Sequence, residues 1–278
     1  MKKKKKKLKI KWKNMTIFIL IIVSFITLII SSINIVIWLI DSSNTKNEVK
    51  NIEEITEVKE VKDNKNTEII EQPAPPKEDP YWDYIKMNLI NVDFEELKKK
   101  NPDTKGWIQV SGTNINYPFV QSQDNEYYLD HSFNKNKNKA GWIFLDYRNT
   151  VNSSDKNMIL YGHSRQDTTM FGSLKNILKN GWLDYAENHV IRLSTETENT
   201  LWQVFSVYHI PTTSDYLEIN FPTDQTFLNF ANKLIDRSAY NFYTSVNKDD
   251  RILTLSTCYN NDTERVVLHA KLIKKETR

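Results

Sequence analysis

The chain has 278 residues, 38 Lys+Arg against 35 Asp+Glu, and one cysteine, Cys258. A lone cysteine excludes an intramolecular disulfide and any site built on two thiolates. The net charge of +3 is set by nine lysines before residue 14; without them the remainder carries 29 basic and 35 acidic side chains, about −6, and nothing in it suggests nucleic-acid binding.

The lysine block (Lys2 to Lys7, Lys9, Lys11, Lys13) is followed by 26 uncharged residues, 15–40, closed by Asp41. A run of that length spans roughly 30 Å of hydrocarbon. The apolar core of a cleaved signal peptide is shorter and ends in a small-residue cleavage site, which this run lacks. The expectation is a retained single-pass anchor with residues 1–14 as a basic cytoplasmic tail. The lysines on one flank put the N-terminus inside and everything after Asp41 outside the cell. Residues 41–79 are rich in Glu, Lys and Asn, contain no glycine and end in Pro73, Pro75 and Pro76. Val49, Ile52, Ile55, Val58 and Val61 recur every third residue, which drifts around a helix, so a stalk of marginal helix or solvated coil is expected.

The folded domain is expected over 80–278. Two short helices, 80–89 and 93–100, open it, the second with Asp93 and Glu96 at capping-box spacing. The period then changes to two. Strands are expected at 107–110, 115–117, 142–145, 158–161, 190–193, 201–210, 252–257 and 266–273, with helices at 170–178 and 224–238. Eight short strands over some 170 residues suggest an antiparallel barrel or sandwich with added helices.

Cys258 ends the strand Leu253-Thr254-Leu255-Ser256-Thr257-Cys258. Ile252, Thr254, Ser256 and Cys258 share one face by the period of two. Asn260, Asn261 and Asp262 are turn formers, and a second strand starts at Arg265. Antiparallel pairing would set Cys258 and Arg265 roughly 5 Å apart across the ladder. A thiol with an ordinary pKa near 8.5 is mostly protonated at pH 7, so a nucleophilic cysteine needs a base or a cation beside it. Of the five histidines, His131 lies in a polar loop, His189 precedes a strand, and His209 and His269 lie within strands. His163 follows a strand and Gly162 directly, at a strand-end loop of the kind that displays functional side chains.

Together, Thr254-Leu255-Ser256-Thr257-Cys258, Arg265 seven residues on and Tyr161-Gly162-His163 upstream resemble a sortase, one of the membrane-anchored cysteine transpeptidases of Gram-positive bacteria. Further motifs resemble class B sortases: Asn101-Pro102-Asp103 with Gly106-Trp107-Ile108, Thr113-Asn114-Ile115-Asn116-Tyr117-Pro118, Asp124-Asn125 with Tyr127-Tyr128-Leu129, Gly141-Trp142-Ile143-Phe144-Leu145-Asp146, and Met170-Phe171-Gly172. The resemblance covers about residues 80–273. It implies a closed eight-stranded β-barrel with N-terminal helices and a long helix ahead of the cysteine strand. It also implies transpeptidation with Cys258 as nucleophile, His163 as acid and base and Arg265 as donor to the substrate carbonyl. Asn125, Thr212, Tyr216, Leu217 and Ser256 match positions that line the class B peptide groove. The implied partners are surface proteins bearing a C-terminal sorting signal and an amine acceptor from peptidoglycan or a pilin. No cofactor is implied, and no acidic cluster suggests a Ca²⁺ site. Two other readings of the residues are a secreted cysteine peptidase with water as acceptor and a non-catalytic wall-binding module.

Overall fold

The structure, a computed structural model, describes residues 12–70, 72, 79–151, 155–259 and 263–278. The lysines before residue 12, Pro73, Pro75, Pro76, the turn formers 260–262 and the side chain of Cys258 lie outside them. The chain divides into two units at Ser43/Asn44. The first consists of the N-terminal part of helix α1 (Trp12–Ile55), whose apolar side chains between Ile17 and Ile40 are exposed. By length and composition this helix can cross a membrane.

In the second unit the last turns of α1 lead to strands β1 (Val58–Val61) and β2 (Thr67–Ile69), a single turn α2 (Tyr81–Tyr84), β3 (Leu89–Val92) and α3 (Glu95–Lys100). There follow β4 (Thr104–Val110), β5 (Asn116–Val120), β6 (Phe144–Leu145), β7 (Asn157–Tyr161), α4 (Asn180–Leu183), β8 (Val190–Ser194), β9 (Glu198–Pro211), α5 (Asp224–Asp236), β10 (Ile252–Tyr259) and β11 (Glu264–Thr277). The order β10-β7-β6-β5-β4-β8-β9-β11 is closed by pairing of β10 with β11, giving an eight-stranded barrel; β2 adds to β11 outside the ring. The eight ring strands are the eight expected from the period of two. Their connectivity is not purely antiparallel: β10 runs parallel to β7 and β5 parallel to β6.

Alternation of side chains explains how one strand serves two cores. Leu253 and Leu255 of β10 point into the barrel with Trp107, Phe119 and Leu268. Ile252, on the opposite face, packs with Val267 under α5, whose Phe227, Phe230, Ala231 and Leu234 supply an apolar stripe. Helix α5 starts where Thr223 accepts a hydrogen bond from the Thr226 amide, with the Thr226 hydroxyl reciprocating.

Four local expectations are corrected. The expected stalk folds with the domain as far as residue 70. Thr45, Glu48 and Ile52 form one buried stripe on α1, Asn138 donates to Thr45 at 3.0 Å, and Ser132 donates to Glu48 at 3.1 Å. Val58 and Val61 belong to β1, paired with β3, so the three-residue repeat was a helix stripe followed by a strand. The expected helix 80–89 shrinks to one turn because Leu89 leaves it for β3. Asp93 accepts from the Glu95 amide at 2.9 Å, but Phe94 occupies the cap position of α3 without a side-chain bond. Instead of a helix at 170–178 there is a tight loop with a short 3₁₀ turn, Leu174–Asn176. Thr168 and Met170 have positive φ there, and Gly172 approaches the Arg165 carbonyl so closely that a Cβ would sit 2.3 Å from it.

Candidate active site

The ladders of β10 fix the geometry. On one side Cys258 is the register partner of Arg265. On the other, the parallel ladder pairs Ser256 with Tyr161 and ends where the Gly162 amide donates to the Ser256 carbonyl at 3.4 Å. Two residues beyond that last pair stand His163 on one strand and Cys258 on the other. The three main-chain positions therefore reach one end of the barrel side by side. The His163 backbone is held again from above, its carbonyl accepting from the Phe171 amide at 3.1 Å.

At that end lies a groove of about 580 Å³. His163 and Arg265 line it, as do Asn125, Thr212, Tyr216, Leu217 and Ser256, so the structure brings all of these sequence-derived candidates to one surface. Tyr216 is buried and its hydroxyl lies 2.9 Å from that of Ser256, tying the loop after β9 to the cysteine strand. The Thr212 amide donates to the Thr263 carbonyl at 3.1 Å, bracing that loop on the hairpin that carries Arg265. Arg265 donates from Nη1 to the Glu264 carbonyl at 2.9 Å, and its side chain is half-buried at the groove.

Residues not singled out individually brace the groove lining through hydrogen bonds. Asp146 is fully buried and receives Arg148 through Nε at 2.9 Å and Nη2 at 2.8 Å, the Tyr161 hydroxyl at 2.9 Å and the Asn125 amide nitrogen at 3.1 Å. Burial pushes its carboxyl up, but the Arg148 and Tyr161 hydrogen bonds outweigh this and hold it below the ordinary value. Asn125 is thereby oriented: Nδ2 points at Asp146 while Oδ1 accepts from the Tyr147 amide at 3.0 Å. Arg148 also donates to the Leu217 carbonyl at 3.1 Å, so one buried carboxylate braces both walls. Asp146 closes the motif begun at Gly141, and its only sequence signal was that position.

The remaining histidines have other surroundings. His131 stacks on Tyr127 with ring centres 4.0 Å apart. His189 is buried against Trp182 and Phe242, and burial lowers its pKa. His209 is exposed on β9. His269 is wholly buried, and burial, with the Arg237 charge nearby, depresses its pKa to about 3. Among the described residues no three His, Cys, Asp or Glu side chains converge as metal ligands.

Comparison with known proteins gives the family. The model of the sortase domain matches residues 108–273. Sortase B of Staphylococcus aureus is 38% identical over 188 residues, 66% of this chain and 76% of its own length. A solved sortase B of Bacillus anthracis superposes with a TM-score of 0.65 at 33% identity, covering 85% of this chain and 99% of that one. A sortase B–substrate complex from S. aureus gives 0.61 at 38% identity, covering 65% and 84%. The chain belongs to the sortase family of cysteine transpeptidases, and within it to class B.

Proposed function

We propose that this sortase cleaves a C-terminal sorting signal after threonine and joins the new carboxyl end to an amine of the cell envelope. The Cys258 thiolate attacks the scissile carbonyl, the C–N bond breaks, and a thioester to the enzyme remains. His163 gives the departing amine its proton, then takes one from the incoming amine as that amine displaces sulfur, which leaves as the thiolate and restores the starting pair. Arg265, with its permanently charged planar fork, donates to the carbonyl oxygen as negative charge develops there. Asn125, Thr212, Tyr216, Leu217 and Ser256 hold the peptide along the groove. The acceptor is an amine of peptidoglycan or of a pilin, and the apolar helix anchors the enzyme with its domain on the outer face.

The observation that carries this reading is the double register of β10, Cys258 opposite Arg265 and Ser256 opposite Tyr161. It supports nucleophile, base and donor meeting at the end of a groove of peptide dimensions. The substrate complex of the S. aureus relative is in keeping with that use. The test is mass spectrometry of the full-length protein incubated with sorting peptides and amines. A covalent acyl adduct on Cys258 and an amine-joined product are expected, and Cys258→Ala should form neither. Peptide turnover that survives Cys258→Ala would sink the proposal, and hydrolysis in excess amine would replace transfer by peptidase action.

A further inference from the structure

The imidazole of His163 meets a main-chain carbonyl: its Nε2 lies 2.7 Å from the oxygen of Leu129. A carbonyl oxygen only accepts, so Nε2 carries the hydrogen and the neutral ring has its lone pair on Nδ1. The same edge of the ring, through Cδ2, faces Gly141, so the Nδ1 edge is turned away from that loop.

The carbonyl itself is fixed from several sides. Asp124 accepts from the amides of Glu126 and Tyr127 at 2.9 and 2.8 Å and so builds the 3₁₀ turn Tyr127–Leu129. The Tyr128 hydroxyl donates to Asp103 at 2.7 Å and accepts from Asn101 at 2.9 Å. Behind the turn runs Gly141, at φ +59°. A Cβ there would stand 2.5 Å from the Tyr128 oxygen, 2.8 Å from the Leu129 oxygen and 3.0 Å from His163 Cδ2. Only a glycine lets carbonyl and ring close on each other at this point.

We infer that the Leu129 carbonyl, with Gly141 behind it, is the positioning group for His163, fixing the Nε2–H tautomer so that Nδ1 exchanges protons with the thiol and the amines. The inference rests on the assignment of His163 proposed above. In cysteine enzymes the base is itself oriented by a third group, and here a peptide oxygen fills that place. When Nδ1 takes a proton the ring becomes a double donor. The bond to Leu129 then becomes charge-assisted.

Long-range ¹H–¹⁵N correlation spectra of the full-length protein, labelled with [¹⁵N]histidine and held in detergent, read the tautomer directly. His163→Gln identifies the resonances by their loss. A protonated Nε2 is expected in the neutral form; a protonated Nδ1 or an even mixture overturns the inference without any variant. Gly141→Ala should lower kcat on the order of 10²-fold by displacing the ring, leave peptide KM largely unchanged, and erode the tautomer preference. A folded Gly141→Ala with normal kcat and the same tautomer would also overturn it. If Gly141→Ala does not fold, the wild-type spectrum decides. Turnover that survives His163→Gln would instead overturn the proposed mechanism, a distinguishable result.

Discussion

His163 at the groove and His269 in the wall between barrel and α5 are carried on neighbouring parts of one barrel, yet their surroundings divide their tasks. His269 is wholly buried, with both ring nitrogens engaged: Nδ1 with Thr254 at 2.8 Å and Nε2 with the Tyr208 hydroxyl at 2.8 Å. Thr254 donates onward to Asn157 at 2.7 Å, so it must accept from Nδ1–H, and Tyr208 then donates to Nε2. Every hydrogen in this chain has a fixed address. His163 is partly exposed, and one nitrogen is held by Leu129. In the proposed mechanism His163 keeps one nitrogen for the reaction, whereas fixing both makes His269 a core residue.

The widest separation comes from paired substitutions. His163→Gln should lower kcat by about 10²–10⁴, the usual range for a lost general acid–base, with stability within about 0.5 kcal/mol because the site is near the surface. His269→Gln should do the reverse, costing about 1–3 kcal/mol by disturbing a buried hydrogen-bonded group and leaving kcat per folded molecule intact. Turnover with sorting peptide and urea unfolding of both variants check this. Equal behaviour of the two would end the comparison.

Arg265→Lys comes next. If Arg265 only supplied charge, lysine would keep most activity. If its planar fork meets the developing oxyanion, kcat falls about 10²–10³-fold, while alkylation of Cys258 without peptide changes much less. Near-normal turnover would sink the oxyanion role, and a parallel collapse of alkylation would move Arg265 to the thiol. Asp146→Asn should act through positioning instead. It leaves Arg148 without its carboxylate and releases Asn125 and the Leu217 loop together, so peptide KM should rise about tenfold, roughly 1.4 kcal/mol of binding, with a smaller change in kcat. A kcat loss with unchanged KM would argue against a brace of the groove walls.

What the sequence revealed follows from which groups carry a pattern. The ring strands were readable because both faces of strands such as β10 are buried by different partners, which leaves β-branched and apolar runs with sharp ends. The proposed triad was readable because its members are side chains of rare type at strand ends. Residues 44–61 were not, because polar Thr45 and Glu48 occupy the buried stripe and are hydrogen-bonded rather than apolar. The helix expected at 170–178 had apolar spacing but lacked allowance for the positive-φ residues Thr168 and Met170. The Leu129 contact had no side-chain signal, since a peptide oxygen has no side-chain identity. Its only trace was Gly141.

The last comparison concerns pH. His269 has a folded-state pKa depressed to about 3 from 6.5, first by burial and then by Arg237. Between those values the unfolded chain takes up a proton that the fold refuses. The stability is therefore fully present above about pH 6.5 and is lost as pH falls toward 3, by at most about 1.4 kcal/mol per unit. His189, also depressed by burial, adds in the same direction. Asp146 and Asp215, held below their ordinary value of 3.8, contribute stability that is fully present above that pH and is lost only beneath it. Glu48 and Asp250, whose carboxyls burial pushes up, act in the opposite sense, so the test is the difference. Urea midpoints from pH 7 to 4 should fall less steeply, or rise more, in His269→Gln than in the wild type, whatever its absolute stability. An identical slope in the two would mean that the buried ring accepts its proton without loss, against the fixed Thr254–His269–Tyr208 chain.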